Sequence, residues 1–175
     1  DIPTLWISLG KTDRDPVAFL SCVIACFQGI DPTYGQNALK LLQSSNKPSN
    51  EAIVGLLIND LLQVNQDYVL VLDDFHLSDT REISAIVAYL LEHIPASIHV
   101  VMTTRSDPAL PLARLRSQQQ LVELRAADLG FSAYEISVLF NKKLKISLSI
   151  EDAHLLETKT EGWMAGLQLI ALSLQ

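Results

Sequence analysis

Tyr68-Val69-Leu70-Val71-Leu72-Asp73-Asp74-Phe75-His76 begins with an unbroken apolar run and then carries two adjacent carboxylates. A strand that alternates apolar and polar residues has one wet face, whereas one that is apolar throughout is covered on both, as in the middle of a parallel sheet. The run therefore predicts a central parallel strand. Downstream, Asp79-Thr80 offers an N-cap to a helix whose Ile83, Ile86, Val87, Leu90 and Leu91 share a face, and Pro95 stops that helix. Ile98-His99-Val100-Val101-Met102 predicts the next strand. Strand, helix and strand within about thirty residues is the size of a right-handed crossover.

The pattern extends in both directions. Leu5-Trp6-Ile7-Ser8-Leu9 predicts a strand, and Asp15-Pro16 supplies an N-cap with proline at the first helical position. A helix over 16–27 follows, with its stripe at Leu20, Val23, Ile24 and Phe27. After a loop rich in Gly, Ser, Asn and Pro, a helix carrying Ile53, Leu57 and Leu61 is expected to end near Val64. Leu121-Val122-Glu123-Leu124 predicts a fourth, shorter strand. Beyond Leu129 only helical patterns remain. Ser132-Ala133-Tyr134-Glu135 has the form of a capping box, and Ser149 to Asp152 repeats it. In the last helix, Trp163, Met164, Leu167, Leu169 and Ile170 read most simply as core, although the position also suits a lid over a nucleotide base. The expected organisation is an α/β domain over 1–129 and a small helical subdomain over 130–175.

Composition narrows the function classes. The 175 residues can hold one sizeable core or one domain and the start of another. Apolar residues make up 49% and charged ones 19%, with no long uncharged apolar run, so a soluble globular protein without a membrane span is expected. No basic and apolar leader opens the chain: Asp1-Ile2-Pro3 precedes an apolar run as though the sequence started inside a domain. A formal charge of -7 opposes autonomous DNA binding, which needs clustered Lys and Arg against phosphates. Cys22 and Cys26, four apart in a helical pattern, read as reduced thiols of a cytoplasmic protein.

The residues able to carry chemistry cluster at strand ends. Ligands of open parallel sheets gather at the carboxyl ends of strands, where Asp73 and Asp74 lie. An acid there can hold magnesium on a nucleotide, because that ion needs hard oxygen ligands, while a second acid can orient water. The alternative is that both merely cap the turn. Arg105, in Thr103-Thr104-Arg105 after the next strand, could reach a terminal phosphate, or could be a solvated charge. Gly10-Lys11-Thr12 is not a phosphate loop, since the first glycine of G-x-x-x-x-G-K-S/T would fall on Leu5 and acids follow Thr12. His76, His93, His99 and His154 show no metal-ligand spacing and read as structural.

Taken in order, five segments resemble the nucleotide-binding domain of the STAND class of signalling ATPases, in the MalT-like branch of large LuxR-type regulators. They are Leu5 to Leu9 with Asp15-Pro16 and Phe19; Val69 to His76; Thr103-Thr104-Arg105-Ser106-Asp107-Pro108 running into Leu110 to Arg116; Leu124-Arg125-Ala126-Ala127-Asp128-Leu129; and Thr160-Glu161-Gly162-Trp163-Met164-Ala165-Gly166-Leu167-Gln168-Leu169. The resemblance implies a P-loop NTPase-like parallel sheet with helices on both faces, incomplete because the family's Walker A strand and loop would lie upstream of Leu5. It implies that Asp73 is the Walker B acid for Mg2+, Asp74 its catalytic companion and Arg105 a sensor of ATP. Gly166 and Gln168 fall where relatives touch adenine through Gly-x-Pro, Gln168 standing in place of the proline. In the intact protein, ATP and a small-molecule inducer would control self-assembly, and a separate C-terminal helix-turn-helix domain would bind DNA. Any ATPase would be slow, and this segment alone is expected to bind ATP weakly or not at all. The rivals are a metabolic P-loop NTPase or kinase, and an interaction module in which Asp73 and Arg105 only pair with each other.

Overall fold

The computed structural model describes residues 2–45 and 48–174; Asp1 of the opening triplet and Asn46 and Lys47 of the first long loop lie outside them. Contacts divide the chain into two compact units, Asp1–Arg114 and Leu115–Gln175. The anticipated division at 129/130 falls inside the second.

The first unit is a three-stranded parallel sheet in the order β1-β2-β3, formed by β1 (Thr4–Ser8), β2 (Tyr68–Asp73) and β3 (Ile98–Met102). Strand β2 is central, as its unbroken apolar run requires, and its register sets Leu5, Leu70 and Val100 side by side. Helices α1 (Pro16–Gln28), α2 (Gln36–Leu42), α3 (Asn50–Leu61) and α4 (Arg81–His93) complete it. The caps read from the sequence form: Asp15 accepts from the Ala18 amide at 3.0 Å, and Thr80 Oγ1 from the Ile83 amide at 3.2 Å. Helix α2 was not anticipated, its seven residues being hidden within a loop-like composition. Helix α3 stops at Leu61, ahead of Val64.

Leu70, Leu72 and Ile98 share one core with Phe19, Val23, Ile24 and Phe27 of α1, Leu57 and Leu61 of α3, and Ile83, Val87 and Leu90 of α4. One sheet face is thus covered by helices. The other face, where the P-loop pattern expects a second helical layer, carries Trp6, Val71 and Val101 in a single row. Trp6 is 59% and Val101 46% exposed, while Val71 between them is buried at 4% though outside the core cluster. The outer edge of β3 has no strand partner among the described residues.

The second unit is helical, with α5 (Leu112–Ser117) spanning the division, then α6 (Ala126–Leu129), α7 (Ala133–Val138), α8 (Ile150–Thr160) and α9 (Met164–Ser173). A π-helical stretch, Leu139–Leu144, continues α7. The capping box forms, with the Ser132 amide donating to Glu135 Oε2 at 3.0 Å and the Glu135 amide to Ser132 Oγ at 3.4 Å. Ala133, Ile136, Phe140, Ala153, Leu167 and Ala171 make the core. Gly162 has φ +72, and a Cβ there would stand 2.5 Å from the Phe131 backbone nitrogen. Trp163, Met164 and Leu169 are exposed, which corrects the reading of that stripe as core: only the Leu167 and Ala171 side of α9 turns inward.

The fourth strand is also corrected. Residues 121–124 form no strand and join no sheet among the described residues, leaving Val122 90% and Leu124 72% exposed. In place of a backbone ladder, this segment is tied down through Glu123. Arg116 reaches it with Nε at 2.6 Å and Nη2 at 2.8 Å, and Arg125 Nη2 donates to the same carboxylate. No helix among the described residues is long and apolar enough to cross a membrane.

Two measurements check this description. Leu70→Ala, at a fully buried site, should cost roughly 2–5 kcal/mol in urea unfolding, whereas Val122→Ala should stay within about 0.5 kcal/mol; equal losses would restore a buried fourth strand. The Arg116 hydrogen bond, aided by Arg125, lowers the Glu123 carboxyl from 4.5 to about 2. Because its folded value is depressed, the ion pairing persists above the ordinary carboxylate range and is lost as pH falls toward about 2. A side-chain carbonyl NMR titration should show that low midpoint, and Arg116→Met should move it back up.

Candidate functional site

The parallel register that buries β2 also aligns the carboxyl ends of β2 and β3. Leu72 stands opposite Met102, so the next residues, Asp73 and Thr103, emerge side by side. Thr103 Oγ1 donates to Asp73 Oδ1 at 2.5 Å and accepts from the Asp74 amide at 2.8 Å. The Thr103 carbonyl accepts from the Phe75 amide at 2.9 Å, and the Thr103 amide donates to the Leu72 carbonyl at 3.1 Å. One threonine thereby fixes the Asp73 carboxylate and the backbone of the turn after it.

That turn is a single 3-10 turn, Phe75–Leu77, entered through Asp74 at φ 54 and ψ 38. The left-handed region is one that aspartate tolerates better than most residues. Phe75 is fully buried beneath the turn. Above it, the Asp74 side chain is 52% and that of His76 17% exposed, with His76 Nδ1 3.8 Å from Asp74 Oδ1. Arg14 Nε donates to the Leu77 carbonyl at 2.9 Å, tying the turn to the segment after β1.

Of the residues singled out in the sequence, Asp73 and Asp74 are brought together, and Thr103, passed over in favour of Arg105, joins them. A hydroxyl-bearing residue at the end of the neighbouring strand was the available signal, but its meaning depends on register. Arg105 is exposed and has no ion pair among the described residues. It does not pair with Asp73. Gly166 and Gln168 lie on α9 in the second unit, two positions apart and so on different faces of the helix. Gly166 has a packing reason of its own, since a Cβ there would stand 3.0 Å from Thr160 Cγ2. Gln168 is exposed.

Fitness for magnesium and a nucleotide can be tested on this geometry. Asp73 presents a hard carboxylate oxygen at the rim of the sheet, partly exposed and held by one hydrogen bond, which suits an ion that keeps most of its waters. No group of three or more His, Cys, Asp or Glu among the described residues forms a ready-made metal cage. A phosphate cradle is a different matter. Gly10 precedes a 3-10 turn, Lys11–Arg14, and its amide donates to Asp13 Oδ2 at 2.7 Å. The amide that would meet a phosphate already holds a carboxylate, so Gly10-Lys11-Thr12 is structural. Cys22 and Cys26 are free, and burial, aided at Cys22 by Asp13, pushes both thiols up and away from reactivity.

No protein-family model matches the chain. Individual relatives do. It is 32% identical over 168 residues to the HTH-type transcriptional regulator MalT of Serratia proteamaculans, covering 96% of this chain and 19% of that protein. The HTH-type transcriptional regulator MalT of Vibrio parahaemolyticus is 29% identical over 170 residues, with 97% and 19% covered. A serine/threonine-protein kinase, PknK of Mycobacterium tuberculosis, is 29% identical over 171 residues, with 97% of this chain and 15% of the kinase covered. The chain thus spans about a fifth of the length of the MalT proteins it matches. With that match running almost end to end, and with the incomplete parallel sheet that the five ordered segments imply, this chain is a MalT-like segment.

Proposed function

We propose that this segment is the acid-and-sensor half of an ATP-controlled switch in a MalT-like transcription regulator. The observation that carries the reading is the Asp73–Thr103–Asp74 network at the carboxyl end of a central parallel strand. There Asp73 would hold Mg2+, Asp74 would orient a water toward the terminal phosphate of ATP, with ADP as the leaving group, and Arg105 would extend to that phosphate from the end of β3. When bound, the metal supplies charge neutralisation on the phosphate oxygens.

The phosphate cradle comes from polypeptide outside these residues. Two features favour this: the outer edge of β3, unpaired among the described residues, where a further parallel strand can pair, and the exposed Trp6 and Val101 on one sheet face, which a helix following that strand can cover. Completed in this way, the site distinguishes ATP from ADP. That difference in affinity, together with an inducer bound elsewhere in the protein, favours an arrangement that self-assembles. DNA is bound by a separate helix-turn-helix domain, in keeping with the name of the MalT relatives and with the charge of -7 here. Hydrolysis, slow in this reading, resets the switch.

Occurrence of the same segment within proteins named as transcription regulators and as a kinase favours a shared control module over a dedicated metabolic enzyme. An interaction module built on an Asp73–Arg105 ion pair is disfavoured by the Thr103 partner of Asp73.

In the intact regulator, Asp73→Asn should weaken binding of magnesium-ATP about tenfold or more while leaving metal-free ATP little changed, as read by calorimetric titration with and without the metal. Identical magnesium dependence in variant and wild type would reject the assignment. Residues 1–175 alone should give no micromolar magnesium-ATP isotherm, and a clear one would reject the separation of cradle from acids.

A further inference from the structure

Resting on the reading of Asp74 above, we infer that His76 is a positioning residue whose Nδ1–H donates a hydrogen bond to the Asp74 carboxylate when the site is at work. His76 Nδ1 is buried, yet it has no hydrogen-bond partner. Burying an unpartnered ring nitrogen is unfavourable, and such atoms in a folded protein call for a physical explanation. The charged group it faces is Asp74, with Oδ1 at 3.8 Å, too long for a hydrogen bond but within the sweep of a rotating carboxylate.

The surroundings decide which partner moves. The turn backbone is pinned from several sides: the Leu77 amide donates to the Asp74 carbonyl at 2.9 Å, the Ser78 amide to the Phe75 carbonyl at 3.0 Å, and Arg14 to the Leu77 carbonyl at 2.9 Å. The ring of His76 is largely covered, whereas the Asp74 side chain is half exposed. Asp74 therefore swings, and His76 is the fixed post it swings to. Contact requires the Nδ1–H tautomer, because a bare Nδ1 lone pair would face a carboxylate lone pair. Once paired, one Asp74 oxygen is held and the other is left to accept a proton or align a water. The same logic orients metal-bound and catalytic groups through their outer partners. Asp73, held by Thr103, needs no such help.

The test uses the intact regulator with His76→Phe, His76→Asn and, as control, Asp74→Asn, reading magnesium-ATP affinity and single-turnover hydrolysis separately. His76→Phe should slow hydrolysis roughly 10- to 100-fold while affinity stays within about threefold. His76→Asn, whose amide nitrogen occupies the place of Nδ1, should recover most of the rate. A merely structural histidine would not separate rate from affinity, nor be rescued by asparagine. His76→Phe hydrolysing at the wild-type rate would overturn this inference while the switch reading stood, and so would equal losses in both His76 variants. Wild-type protein that binds no magnesium-ATP would overturn both together.

Discussion

Parallel pairing of β2 on both of its edges is the constraint from which the rest of the first unit follows. A strand with neighbours on either side satisfies its amides and carbonyls without water, so an entirely apolar run can be buried there. The same ladder fixes the register with β1 and β3, and a slip of one residue would turn every side chain to the opposite face. Asp73 beside Thr103, and Ser8 beside Asp73, are consequences of a register selected by the core. The candidate site is thus positioned by packing, and its polar groups contribute little to holding the sheet.

How much of this was legible in the sequence depended on how local each feature is. Central strand β2, the proline-led start of α1, and the caps at Thr80 and Ser132 are determined within a few residues, and the structure has them as read, while Ser149 caps α8 without the reciprocal half of a capping box. Residues 121–124 had strand-like composition but no strand to pair with among the described residues, and Glu123 is held by guanidiniums instead. Strand formation needs a partner, which no local pattern supplies. Helix α2 was obscured because Pro32 and Gly35 lie just before it and Asn46 and Pro48 just after. Thr103 was missed for a third reason: its role is to join residues thirty positions apart, so only the register reveals it.

The acids and the arginines of this chain are used differently, and the contrast bears on the site. Arg114 and Arg116 have carboxylate partners in Glu92 and Glu123, both on exposed ground where ion pairs are screened and worth little. Asp73 and Asp74 have no Lys or Arg partner among the described residues: the Thr103 hydroxyl holds the Asp73 carboxylate, and the Asp74 carboxylate faces His76 at 3.8 Å. A neutral anchor keeps the full negative charge of Asp73 available to an incoming cation.

A switch built this way places its two halves on structures of unequal independence. The acid half sits on a sheet whose helical face is already packed, so its backbone is held by the core of the first unit. In the proposed arrangement the phosphate half must pair with the β3 edge and cover Trp6 and Val101 before it can present a cradle. Nucleotide bridging the two halves would then strengthen their docking by the same free energy that docking adds to nucleotide affinity, since linkage is reciprocal. Exposed apolar side chains, Trp6 and Val101, on the sheet that carries the acids are what such coupling requires: apolar area gives the docked state a driving force, and the acids would make it depend on which nucleotide is present.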